Sequence, residues 1–229
     1  MNLDLNFVLF ALYPYLALTV CLVGCWIRFD REQYTWRAGS SQLLRTRGMV
    51  LASNCFHVGT LFILFGHLVG LLTPASVYHH VISTPDKQVL AMVSGGLFGL
   101  VCLVGLAMLL YRRISDPRVR ASGSTADLAI LVLLGIQLLL GLATIFASAQ
   151  HLDGSVMLML AGWAQSIVTF HPEQAAAFIA GVHIVYKLHV FFGISIVLVF
   201  PFTRLVHIIS APVWYLGRSY QLVRHKRAA

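Results

Sequence analysis

Apolar residues dominate this chain in long unbroken runs, and polar residues gather in the short stretches between them. Five runs reach the roughly 20 residues a helix needs to cross a hydrocarbon core. They cover approximately Asn6–Ile27, Met49–Leu72, Gln88–Tyr111, Asp127–Ser148 and Val182–Pro201. The pattern predicts an all-α, integral membrane five-helix bundle, with 1–229 as a single membrane domain and about 204–229 as a C-terminal tail. Neither an internal repeat nor a low-complexity tract interrupts it. The first run has no basic segment ahead of it, and Asp4 is the only charge before it, so it reads as a retained helix and not a signal peptide. The connection of about Ala149–Gly181 is long and almost uncharged. Its Val156–Phe170 stretch reads as an amphipathic helix lying at the membrane interface.

Composition agrees with a bilayer as solvent. Of the 229 residues, 59% are hydrophobic and 10% charged, against about 25% charged in an ordinary soluble domain. The net charge of +8 raises the question of nucleic acid, but the basic residues sit in short loops between apolar runs, which is the pattern of membrane orientation. Nucleic acid is therefore not an expected partner; the lipid bilayer is.

The distribution of those charges sets the direction of each run. Arg28, Arg31, Arg37, Arg45 and Arg47 fill the first loop, and Arg112, Arg113, Arg118 and Arg120 the third. Arg204, Arg218, Arg224, Lys226 and Arg227 lie beyond the last run. The other side has Lys87 in the second loop and Lys187 at the start of the fifth run. By the positive-inside rule the N-terminus is periplasmic and the C-terminus cytoplasmic.

Ten histidines are present, and depth separates them. His79, His80, His151 and His171 fall in outer loops, His225 in the basic tail, and His183 at the outer start of the fifth run. His57 and His67 lie within the second run, and His189 and His207 near opposite ends of the fifth. Polar side chains at membrane depth are expensive and mark function, although a single histidine is also explained by a hydrogen bond to a neighbouring helix. Four in two antiparallel runs pair by depth: His67 with His189 outside, and His57 with His207 inside. These are two bis-histidine sites at two levels.

Helix arithmetic tests the pairing. At 1.5 Å per residue, His57 and His67 differ by about 15 Å in height, and His189 and His207 by about 27 Å. Eighteen residues make five whole turns, whereas ten leave their pair about 80° apart. The unequal heights require a tilted fifth helix or a bend near Pro201.

Gly59, Gly66 and Gly70 on the second run, and Gly193 one turn after His189, would admit either a flat macrocycle or a neighbouring backbone. Cys21, Cys25, Cys55 and Cys102 all lie in apolar runs, with no C-x-x-C-H for covalent haem attachment, and read as packing residues.

Four stretches carry a resemblance to a known family. They are RFDREQYTWRAGSSQLL (28–44), GMVLASNCFHVGTLFILFGHLVGLLTP (48–74), SAQHLDGSVMLMLAGWAQSIVTFH (148–171) and FPFTRLVHIISAPVWYLGRSYQLVR (200–224). Over essentially its whole length the chain resembles the gamma subunit of respiratory nitrate reductase; the main departures are around His171–Ala180. The resemblance implies a subunit of the bacterial cytoplasmic membrane that holds two haem b and oxidises quinol, menaquinol or ubiquinol, at the outer face. It implies an iron–sulfur beta subunit as electron acceptor and a molybdenum-containing alpha subunit that reduces nitrate. It puts the distal haem on His67 and His189, the proximal haem on His57 and His207, and the quinol site on Gly66, His67 and Lys87.

Further roles follow from position once the resemblance supplies haem and quinol. Lys87, just outside the third run, is placed to donate a hydrogen bond to a quinone oxygen, and equally to snorkel to the interface. Arg204, one turn before His207, and Lys187 are candidate propionate partners, and membrane-end anchoring accounts for either as well. The basic tail after Pro212, with Trp214, Tyr215 and Tyr220, is a candidate docking surface for a partner subunit. Two other readings stay open at this point: a dihaem subunit resembling hydrogenase or formate dehydrogenase cytochromes, and a transporter or anchor whose histidines relay protons or pack.

Overall fold

A computed structural model describes residues 4–36, 41, 44–210 and 217. The expected positions Arg37, Arg218, Arg224, Lys226, Arg227, His225, Pro212, Trp214, Tyr215 and Tyr220 lie outside the described residues. Those described are helical or connecting, with no strand among them. Five helices are long and apolar enough to cross a membrane: α1 (Leu5–Arg31), α2 (Met49–Leu72), α3 (Thr84–Ser115), α4 (Thr125–Ser148) and a fifth span, Ile184–Phe202. The connection between α4 and the fifth span folds into α5 (Ser155–Val168) and α6 (Pro172–Ala180), and the regular part of the fifth span is α7 (Ile184–Val199).

The helices outrun the apolar runs where polar residues cap them. Ser83 accepts a hydrogen bond from the amide of Asp86, and Pro85 sits in the first turn, so α3 begins ahead of Gln88. Ser124 and Asp127 form a reciprocal capping box that starts α4 at Thr125. The same Asp127 carboxylate accepts from Arg113 at 2.8 Å, tying the start of α4 to the buried end of α3. Gly48 and Gly154 precede α2 and α5 with φ of +72° and +82°, in the left-handed region that favours glycine.

Near its start α1 departs from α-geometry. Residues Val8–Leu12 form a π-helical turn, and Pro14 has no N–H to give the carbonyl of Phe10 four residues before it. The indole of Trp163, on α5, donates to that carbonyl at 2.8 Å. Phe10 joins Ile179, Val182 and Tyr186 in a buried cluster against which Met159, Leu160 and Trp163 pack. The α5 segment is therefore built into the end of the bundle that holds the start of α1 and is not a helix resting alone on its surface.

Helix packing runs in the order α2, α3, α4, α7, α1, and α5 lies against α2. The tightest seam joins α2 to α3, where a Cβ on Gly59 would come within 2.6 Å of the Cβ of Cys102. By contrast α2 and α7, at separated positions in this order, are not among the closely packed pairs. Only 6% of the most apolar window of α2 is buried within the chain, so most of its surface awaits lipid, a partner or a bound group.

Regular helix ends at Val199 in the fifth span. A 3-10 turn, Phe200–Phe202, leads to an extended Thr203 (φ −117°, ψ 177°), and a second 3-10 turn, Arg204–Ile208, carries His207. Pro201 cannot continue the hydrogen-bond ladder, which gives the break its cause. The bend expected near Pro201 is present, and the five-turn arithmetic between His189 and His207 does not apply across it.

Candidate functional site: two histidine pairs

The break in the fifth span brings four histidines into two pairs. The rings of His57 and His207 stand 6.4 Å apart between centroids, at 72° to one another. Those of His67 and His189 stand 5.9 Å apart, at 41°. The partners are those that depth assigned. With metal–nitrogen bonds of about 2 Å on each side and ring atoms roughly 1.2 Å from the centroid, two imidazoles sharing one metal have centroids about 6 Å apart. Both pairs match that spacing, and each joins α2 to the fifth span.

Backbone carbonyls orient three of the four rings. His57 Nδ1 donates to the carbonyl of Ser53 at 2.7 Å, His67 Nδ1 to that of Ile63 at 2.8 Å, and His207 Nδ1 to that of Arg204 at 2.6 Å. A proton held on Nδ1 leaves the lone pair on Nε2, the usual condition of a metal-ligating imidazole. His189 is different. Its Nε2 lies 3.5 Å from the carboxamide nitrogen of Gln137, and its Nδ1 is buried with no hydrogen-bond partner. A buried ring nitrogen without a protein partner fits a ligand supplied from outside the chain. The ring rests against Gly141, where an added Cβ would lie 3.0 Å from Cε1.

These observations fit a haem iron, which takes its two axial ligands from the protein and its four equatorial ones from the macrocycle. The glycines divide. Gly59 serves the α2–α3 seam, and a Cβ on Gly193 would lie 3.2 Å from the Gln137 amide. Gly66 and Gly70 face open space, since an added Cβ at either meets nothing within 4 Å. All four cysteines are free.

Lys87 lies in the first turn of α3 and is only 9% exposed. Its ammonium sits 3.6 Å from the centroid of the Tyr78 ring, a close cation–π contact, and has no hydrogen-bond acceptor. Tyr78 is itself held by Thr84, its hydroxyl 3.0 Å from the Thr84 hydroxyl, which also meets His79 Nε2 at 2.9 Å. A buried ammonium with no acceptor is costly unless something arrives to accept from it.

Of the two candidate propionate partners, Lys187 has its ammonium engaged within the chain. Lys187 donates to Asn6 Oδ1 at 3.2 Å and to the carbonyl of Ala180 at 2.9 Å, clipping α6 and the start of α1 to α7. Arg204 contributes its carbonyl to His207. Two residues at the site were not anticipated from the sequence: Gln137 and Gly141. Gln137 carried a signal, a lone amide within an otherwise apolar span.

Five helices able to span a membrane, with two close histidine pairs between the second and the fifth span, define the class: a multi-span helical chain with two paired-histidine clusters. A family profile described as nitrate reductase gamma subunit matches residues 6–226. The chain is 53% identical over 220 residues to respiratory nitrate reductase 1 gamma chain of Escherichia coli (strain K12), covering 96% of this chain and 97% of that one. It is 52% identical over 223 residues to respiratory nitrate reductase 2 gamma chain of the same organism, covering 97% and 98%. Nitrate reductase gamma chain of Bacillus subtilis (strain 168) is 34% identical over 220 residues, covering 96% and 98%. The chain belongs to the nitrate reductase gamma subunit family.

Proposed function

We propose that this chain is the membrane-anchoring dihaem cytochrome b subunit of a respiratory nitrate reductase. It oxidises quinol at the periplasmic side of the bacterial cytoplasmic membrane and delivers electrons to an iron–sulfur beta subunit, which feeds a molybdenum-containing alpha subunit. The observation that carries this reading is the spacing of the two histidine pairs between α2 and the fifth span, 5.9 and 6.4 Å between ring centroids.

His67 and His189 are the ligands of the distal haem b, and His57 and His207 those of the proximal one. When bound, the haems supply one-electron carriers at two depths. The arginine-rich first and third loops support a proximal pair on the cytoplasmic side, beside the beta subunit. Lys87 uses its unpaired ammonium to hydrogen-bond a quinol oxygen, and Gly66 leaves the face beside His67 open to the ring. Protons released there leave on the periplasmic side.

The test is a redox spectrum of the purified complex. Wild type is expected to show two b-type haems per chain, both reduced by a quinol analogue. Lys87→Ala should slow that reduction by about 10-fold or more, as loss of a charged hydrogen bond of roughly 1.5–3 kcal/mol implies. Dithionite-reducible haem should be unchanged. Absence of b-type haem from the wild-type complex would overturn the reading.

A further inference from the structure

His207 does not lie on a regular helix, so something must fix where its 3-10 turn leaves α7. The structure points to α1. Arg28 Nη1 donates to the carbonyl of Pro201 at 2.6 Å and to that of Thr203 at 2.9 Å. Its other nitrogens bond Thr35: Nη2 donates to the carbonyl at 2.8 Å and Nε to the hydroxyl at 3.2 Å. One guanidinium thus holds two carbonyls that the break has released from the helix ladder, and is itself braced by the turn after α1.

One helical turn earlier, Gly24 meets the other side of the break. A Cβ there would lie 2.8 Å from Cγ and 2.9 Å from Cβ of Pro201, so the proline ring packs on bare α1 backbone. Gly24 and Arg28 are four residues apart and share one face of α1. Downstream, the Thr203 hydroxyl accepts from the amide of Leu205 at 3.2 Å, and the Arg204 carbonyl accepts from His207 Nδ1. From Arg28 to the imidazole the connection is continuous: guanidinium, Pro201 and Thr203 carbonyls, a capped 3-10 turn, ring.

We infer that Arg28, with Gly24, is the positioning element of the inner bis-histidine site: it clamps the Pro201–Thr203 break and thereby sets the His57–His207 spacing. This rests on the proposed dihaem function, and it assigns Arg28 a role beyond membrane orientation. The outer site has no such dependence, because His67 and His189 both lie on regular helix.

The experiment uses the assembled complex, with electron paramagnetic resonance of the ferric haems and total haem per chain as readouts. His207→Leu and His189→Leu identify the inner and outer signals. In Arg28→Ala the inner signal should shift or disappear, with haem falling towards one per chain, while the outer signal keeps its position. Arg28→Lys, which keeps a cationic donor, should recover the inner signal at least in part. Gly24→Ala leaves the guanidinium in place but crowds Pro201, and should perturb the same inner signal. Loss of both signals together, or retention of both unchanged in Arg28→Ala and Gly24→Ala, overturns the inference. Wild-type complex lacking both signals would instead overturn the dihaem reading beneath it, and the two failures are distinct.

Discussion

The inner and outer histidine pairs reach nearly the same spacing by different means. In the inner pair both rings are set by main chain. His57 donates to a carbonyl within an unbroken helix, and His207 to one in a 3-10 turn that the chain makes by abandoning helix at Pro201. In the outer pair both backbones are regular, but one ring is not set by main chain. His189 has a glycine behind it, a glutamine beside it and an unpartnered nitrogen. The inner site is thus placed by backbone shape and the outer one by side-chain surroundings on α4. Mutations on α4 should therefore discriminate between the pairs, and removal of hydroxyls near the inner pair should not.

The largest effect is expected at Gly141. Its Cβ position is already 3.0 Å from His189 Cε1, so the branched side chain of Gly141→Leu must displace the ring. Leucine favours helix over glycine by about 1 kcal/mol, so α4 itself is not weakened. Outer haem should be lost and inner haem kept, read as a drop from two haems to one in the reduced-minus-oxidised spectrum. Equal loss of both would show that the sites are not independently placed.

A smaller effect is expected from Gln137→Leu. The carboxamide nitrogen faces His189 Nε2, so the donor end of its dipole opposes the more highly charged ferric state, and its removal favours that state. A change of about 1 kcal/mol, typical of one hydrogen bond, corresponds to roughly 40 mV for one electron. The outer-haem potential should fall by that order in a redox titration, and the inner should stay. A shift confined to the inner haem would invert the comparison.

Much of this architecture was legible because membranes leave few options. Five apolar runs specified five spans, and Met49–Leu72 agrees residue for residue, since Gly48 and Thr73 bound the run sharply. Boundaries moved where caps such as Ser83 and Ser124 extend helices into polar sequence. Depth alone paired His67 with His189 and His57 with His207, because antiparallel helices bring only those levels together. Arg28 was invisible as a structural residue: an arginine at a helix end satisfies the orientation rule whether or not it clamps anything. Lys87 was ambiguous in the same way. Its burial over Tyr78 depends on the turn Ala75–Tyr78, and no spacing in α3 encodes that contact.

The smallest effect should come from Ser53→Ala. The Ser53 hydroxyl lies 3.3 Å from His57 Nδ1, but its carbonyl lies 2.7 Å from the same nitrogen, and one Nδ1–H makes one strong bond. The carbonyl is main chain and survives the substitution, so the tautomer and the Nε2 lone pair are kept. Alanine is also the better helix former, by a few tenths of a kcal/mol. Inner-haem potential and content should therefore match wild type within error, in the same titration that registers Gln137→Leu at the outer haem. A shift at Ser53→Ala as large as that of Gln137→Leu would mean that the hydroxyl, not the main chain, orients His57. The contrast between a backbone-set inner site and a side-chain-set outer one would then fail at its most conservative point.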